Sequence, residues 1–253
     1  MREYIYKVTI ICMTGLLVSC AKEVNHSAWQ VKKEGIAVTV IHLKQTKNLR
    51  LFLKNHNTNE YLRTFKNLKT SLRNCEDINL AVNAGMYHQD YSPVGLYLEN
   101  GSQLAPLNIN KNLNGNFYLQ PNGVFAWDAE SFKVLKTEDY RKDNNTYQYA
   151  TQSGPMLVID GKINEVFDKE SKSKKIRNGV GVADDGVYFV ISNEAVTFYA
   201  FAQYFKDTLK TQNALYLDGT ISAAYIPELK RYKQSNSLGP IIADIIDETK
   251  CQE

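Results

Sequence analysis

Asn213-Ala214-Leu215-Tyr216-Leu217-Asp218-Gly219-Thr220-Ile221-Ser222 is the stretch from which the fold is read. A short apolar run stops at Asp-Gly and passes into small and hydroxylated residues. Residues 214–217 and, upstream, 187–191 are rich in β-branched and aromatic side chains and predict strands. Between them Phe198, Phe201, Ala202, Phe205 and Leu209 recur at helical spacing, which predicts a helix over 195–210. Ser192-Asn193 just before it are suitable N-caps. Strand, helix and strand in one sheet make a right-handed crossover with parallel strands. Both strands then end on one sheet edge, with Ser192-Asn193 beside Asp218-Gly219. Ligands favour such an edge, and anions favour a helix N-terminus. Taken alone, the stretch reads first as an ordinary turn after a strand.

The neighbouring segment adds geometry. Residues 178–183, the turn Asp184-Asp185-Gly186 and residues 187–191 form a hairpin by pattern. A turn centred near Asp184-Asp185 sets Arg177 opposite Ser192-Asn193, and so on the edge that carries Asp218. An Arg fork binds phosphate or carboxylate in bidentate fashion. An Asp beside a cation stays ionised. Two readings fit equally. One is a site for a phosphorylated ligand with a hydroxylated body. The other is a structural Arg–Asp pair tying two strands together.

The remaining chain predicts an α+β fold, a strand-rich mixed sheet with a few flanking helices in a single domain over 35–253. Its 253 residues are 43% hydrophobic, enough for a sizeable core, and sixteen tyrosines and ten phenylalanines favour strands. A net charge of +3 argues against general nucleic-acid binding. Residues 36–41 read as a strand with 49–53 as its hairpin partner. Residues 62–74 read as a basic helix whose Arg63, Lys66, Lys69 and Arg73 form a solvated face. Residues 78–82 run as a strand into Asn83-Ala84-Gly85-Met86-Tyr87-His88, again placing polar groups at a strand end. Asn100-Gly101 predicts a hairpin turn after 94–99. Residues 117–120 and 124–127 read as a hairpin through Pro121-Asn122-Gly123, and 136–148 and 165–176 as exposed charged loops.

At the N-terminus, Arg2 and Lys7 precede an apolar run over 8–18, the pattern of a secretion signal. Its ending, Leu17-Val18-Ser19-Cys20, resembles the lipobox of bacterial lipoproteins. That resemblance implies removal of residues 1–19, a lipid on Cys20 and a tether over 20–34. The expected location is the bacterial cell envelope, with the domain outside the cytoplasm and a membrane reached through the lipid. Lys22-Glu23 is also similar to a surface-export signal of some bacterial lipoproteins. Cys75 and Cys251 remain in the body, and an oxidising compartment permits one disulfide between them. His26, His42, His56 and His88 are scattered and show no zinc spacing. No calcium-loop spacing stands out. No cofactor and no metal site is assigned, with a divalent cation left open.

Six stretches taken together resemble one family. They are Asn83-Ala84-Gly85-Met86-Tyr87; Ser92-Pro93-Val94-Gly95-Leu96-Tyr97; Gly115-Asn116-Phe117 with Pro121-Asn122-Gly123-Val124-Phe125; Ser153-Gly154-Pro155-Met156-Leu157; Arg177-Asn178-Gly179-Val180-Gly181; and Leu217-Asp218-Gly219 with Ser222. They are similar to the phosphodiester glycosidase domain, in its branch of small exported bacterial proteins, over roughly residues 35–246. The resemblance implies hydrolysis of a sugar-1-phosphodiester at the glycosyl C1–O bond, as in the enzyme that uncovers mannose 6-phosphate on lysosomal glycoproteins. The partner is then a phosphorylated carbohydrate.

By this resemblance Asp218, Arg177 and Asn83 carry catalysis, and Gly85, Ser153, Gly154, Gly179, Gly219 and Ser222 bind substrate. The strand-end argument adds Ser192 and Asn193. In this scheme Asp218 faces the anomeric carbon as base, nucleophile or electrostatic stabiliser. Arg177 and a helix N-terminus at Asn193 hold the leaving phosphate. Glu194 is the nearest second carboxylate, although a first-turn Glu also suits a helix dipole. His88 is a candidate acid or a surface residue. Where better-characterised members carry Asp-Gly-Gly-Gly-Ser, this chain has Asp-Gly-Thr-Ile-Ser. Larger side chains at Thr220 and Ile221 point to a different ligand. The alternative function is a non-catalytic envelope lipoprotein that binds a glycan or phosphate polymer.

Overall fold

The computed structural model describes residues 25–33, 35–111, 113–219 and 221–247. Cys20, Thr220 and Cys251, with the expectations placed on them, lie outside the described residues. Cys75 is disulfide-bonded.

Three sheets of seven, five and five strands make up one α+β domain. The first runs in the order β1 (His26–Lys33), β2 (Ile36–Leu43), β13 (Gly186–Ser192), β12 (Asn178–Ala183), β14 (Asn213–Tyr216), β10 (Met156–Ile159), β11 (Lys162–Ile163). The second runs β16 (Arg231–Lys233), β15 (Ala224–Ile226), β4 (Glu76–Asn83), β17 (Ile241–Asp247), β3 (Leu49–Phe52). The third runs β6 (Ser102–Ala105), β5 (Tyr97–Glu99), β9 (Tyr149–Ser153), β7 (Gly123–Trp127), β8 (Phe132–Lys136). Three short helices, α1 (Phe65–Ser71), α2 (Thr137–Tyr140) and α3 (Phe198–Gln203), flank them.

All three sheets face one core. Ile41, Leu43, Phe189 and Leu215 enter it from the first, Leu51, Leu80, Val82 and Ile242 from the second, and Tyr97, Phe125 and Trp127 from the third. The indole of Trp127 donates to the carbonyl of Leu49 at 2.9 Å, joining the third sheet to the second. The inner strands of the first sheet, β2, β13, β12, β14 and β10, are buried on both faces, which explains their apolar runs. In β13, Val187, Phe189 and Ile191 face the shared core, while Tyr188 and Val190 face a second cluster under α3.

The register predicted for the Asp184-Asp185 hairpin is the one observed. Asn178 pairs with Ile191 and Ala183 with Gly186. One step further, the Ser192 amide donates to the Arg177 carbonyl at 2.8 Å, and the Arg177 amide donates to Ser192 Oγ at 2.8 Å. Every strand pairing in the described residues is antiparallel, so no sheet is mixed. β13 and β14 do run parallel to each other, as expected of the crossover, but β12 is inserted between them.

Four expectations are corrected. β3 pairs with β17 rather than with β2, whose hairpin partner is β1. The sheet therefore begins at His26, inside the stretch read as a tether. Residues 116–118 form a 3-10 turn rather than a strand, and β7 pairs with β8 and β9. The helix starts late: Thr197 caps it by accepting from the Ala200 amide at 3.1 Å, so Ser192-Asn193 are not N-caps.

Candidate active site

The end of β4 is held by one side-chain amide. Asn83 Oδ1 accepts from Asn178 Nδ2 at 2.7 Å and from the Ala223 amide at 3.0 Å. Asn83 Nδ2 donates to the Asp218 carbonyl at 3.0 Å. Asn83 and Asn178 are both buried, 2% exposed. This amide therefore clamps both ends of the 218–223 loop and ties the second sheet to the first. Ser222 closes the loop from within, its hydroxyl donating to the Gly219 carbonyl at 2.7 Å. Asn178 Oδ1 is buried and has no hydrogen-bond partner among the described residues.

Asp218 emerges from this frame half-buried. Its carboxylate lies near two tyrosines. Burial raises the Tyr87 and Tyr216 hydroxyl pKa values, and the Asp218 charge pushes both further up. Tyr216 Oη accepts from the Gly219 amide at 2.9 Å. A side chain at Gly219 would place its Cβ 2.4 Å from the Ile176 carbonyl and 2.5 Å from Tyr216 Oη, so only glycine fits there.

The Arg177 guanidinium is anchored on the far side of Tyr216. It lies 3.4 Å over the Phe198 ring, and its Nε donates to the Val196 carbonyl at 3.0 Å. It also hydrogen-bonds Tyr216, while burial pulls its pKa down. What holds this cation is thus an aromatic cradle and backbone carbonyls, not the Asp218 carboxylate, and the reading as an Arg–Asp pair is corrected. Stacking on aromatic faces is a use for which Arg is suited. The Tyr216 hydroxyl is hydrogen-bonded both to Arg177 and to the Gly219 amide that follows Asp218.

Other predicted site residues fall in three groups. Ser192 fixes Arg177 through the backbone contacts given above. Asn193 points elsewhere: its Oδ1 accepts from Thr39 Oγ1 at 3.0 Å and from Arg231 Nη1 at 2.7 Å. With no helix starting there, no helix N-terminus meets a phosphate at Asn193. Glu194 is engaged by the Ala37 amide at 3.0 Å, and His88 is an exposed loop residue. Gly85, Gly154 and Gly179 are close-packing positions, where a Cβ would lie 2.5 Å from the Gln152 carbonyl, 2.7 Å from Asn122 Cβ and 2.8 Å from the Leu215 carbonyl respectively. Ser153 is fully buried, and its hydroxyl has no hydrogen-bond partner among the described residues. Ile221 packs into the cluster around α1, which is how its bulk is accommodated.

Sequence reasoning missed Asn178, Tyr216 and Tyr87. Asn178 and Tyr216 each adjoin a residue that was singled out.

Comparison with known proteins identifies the family. The phosphodiester glycosidase family profile matches residues 76–240. The chain is 37% identical over 183 residues to YigE, an uncharacterized protein of Escherichia coli (strain K12), covering 72% of this chain and 71% of the relative. The catalytic domain of zebrafish N-acetylglucosamine-1-phosphodiester alpha-N-acetylglucosaminidase, auto-inhibited by its pro-peptide, has a similar fold. The TM-score is 0.58 at 12% identity, covering 87% of this chain and 82% of that domain. The matched span includes the Asn83, Arg177 and Asp218 frame, and the chain belongs to the phosphodiester glycosidase family.

Proposed function

We propose that the chain is an exported, lipid-anchored envelope enzyme that hydrolyses sugar-1-phosphodiesters, with Asp218 as the reacting carboxylate. The observation that carries this reading is the buried Asn178–Asn83 clamp, which fixes the loop bearing a half-exposed Asp218 between Tyr87 and Tyr216. Breaking the C1–O bond builds positive charge on the sugar ring and releases a phosphate. The leaving group is already good, so catalysis consists chiefly of stabilising the ring and positioning the ester. The Asp218 carboxylate suits the ring charge or the activation of water. Arg177, behind Tyr216, keeps positive charge at the loop without neutralising Asp218. Its role becomes positioning Tyr216 and Gly219 rather than grasping phosphate. Anchoring through Cys20 and an envelope location rest on the N-terminal pattern alone.

The test is a panel of sugar-1-phosphodiesters with released sugar as the readout. Asp218→Asn is expected to lower kcat by about 10²–10⁴-fold with its thermal midpoint retained. Full turnover in that variant would remove Asp218 from the chemistry, and binding without turnover in the parent protein would favour a binding module.

A further inference from the structure

A row of tyrosines leads away from the Asp218 loop. Tyr87 sits against Gly239, where a Cβ would lie 2.4 Å from its Cγ, and its hydroxyl donates to the Ser237 carbonyl at 2.6 Å. Tyr91 follows at a ring-centroid distance of 6.0 Å from Tyr87, with planes 16° apart, and Tyr61 lies 5.8 Å beyond Tyr91. All three are half-buried. Cations cover the row: Arg63 Cζ is 4.5 Å from the Tyr91 centroid, and Lys54 Nζ is 4.8 Å from that of Tyr61. The row ends in a cavity of about 610 Å³ whose wall includes Lys54, His56, Tyr61, Ser92 and Glu99.

The backbone supplies an independent observation. Tyr91 and Arg63 both adopt the left-handed conformation, with φ of 69° and 62°. They are two of seven non-glycine residues with this conformation among the described residues, and the two are stacked on one another.

We propose that Tyr87, Tyr91 and Tyr61, with Arg63 and Lys54, form a track for an extended glycan bearing phosphodiesters, running from the Asp218 loop to the cavity beside Glu99. The hydroxyls of these half-buried tyrosines suit hydrogen bonds to sugar hydroxyls, and the two cations match the charge of repeating phosphates. The substrate class is then a polymer of several sugar–phosphate repeats rather than a single sugar-1-phosphodiester. This rests on the reading of Asp218 as the reacting carboxylate.

The experiment compares kcat/KM for a polymer of ten or more repeats with that for the monomeric diester of the same sugar. The parent protein is expected to favour the polymer by at least about tenfold. Tyr91→Gly and Arg63→Ala are expected to bring that ratio close to one. Glycine adopts the left-handed backbone freely, so Tyr91→Gly removes the ring and keeps the loop, as an unchanged thermal midpoint verifies. A ratio near one in the parent, or one that survives both substitutions, overturns the track. Equilibrium binding of the polymer to Asp218→Asn protein separates the two ideas. Binding lost on adding Tyr91→Gly, with no turnover in the parent, keeps the track and sinks only the catalytic reading.

Discussion

Asn83 uses three of the four hydrogen-bonding positions of its side-chain amide on neighbours in the frame. Truncation to Ala leaves Asn178 Nδ2, the Ala223 amide and the Asp218 carbonyl without their partner. Buried groups stripped of a partner cost about 1–3 kcal/mol each, and part of the loop can reach water. Asn83→Ala is therefore expected to destabilise by roughly 3 kcal/mol, read as a lowered urea midpoint with an unchanged m-value. At this scale the sequence was informative where local arithmetic decides. Antiparallel counting from Asp184-Asp185 places Arg177 against Ser192, and the strand end places Asp218. It was silent where long-range packing decides. Asn178 meets Asn83 across 95 positions, and nothing in either neighbourhood announces that meeting. The Arg177–Phe198 contact was equally hidden, because it depends on where α3 begins.

The Arg177-Asn178-Gly179-Val180-Gly181 stretch explains how α3 seats on its sheet. At Gly181 a Cβ would lie 2.7 Å from Phe205 Cδ1 and 2.8 Å from Thr211 Cγ2. Two of the three phenylalanines of the helical segment, Phe201 and Phe205, are fully buried against this glycine floor. Gly181→Ala should thus overpack the interface and cost about 1–3 kcal/mol, seen as a lower thermal midpoint with secondary structure retained by circular dichroism. The spacing of these rings made the helix legible, but not its start. The chain stays extended through Ser192 because that residue still pairs with β2. β1 was illegible for a different reason. As an edge strand ending in Lys32-Lys33 it carries the exposed charge that guards sheet edges, so it reads as a polar tether.

The molecule as a whole was legible only as a strand-rich α+β domain; the partition into three sheets around one core was not, since strand order is set by pairings remote in sequence. One ionic network spans the second sheet. Glu76 of β4 meets Arg50 of β3 at 2.7 Å and Arg73 at 2.8 Å, and Arg73 reaches Asp247 of β17 at 3.3 Å. Burial works against the Glu76 charge, but hydrogen bonds from Arg73 and Arg50 outweigh it and hold the pKa at about 2. The folded value lies below the ordinary one of about 4.3. The contribution is present above that ordinary value and is lost as pH falls toward about 2. Urea midpoints measured from pH 5 downward should drop more steeply for the parent protein than for Glu76→Gln, and identical slopes would contradict this account.

The bond from Asn178 to Asn83 joins strands of different sheets at the point where Asp218 emerges. No seam runs through this frame along which the two sheets could part while the Asp218 carboxylate kept its aim. Sheet alignment and chemical competence are therefore a single inherited trait in this fold. A substitution far from Asp218 that lets one sheet slide against the other is felt first as lost turnover, and only later as lost structure.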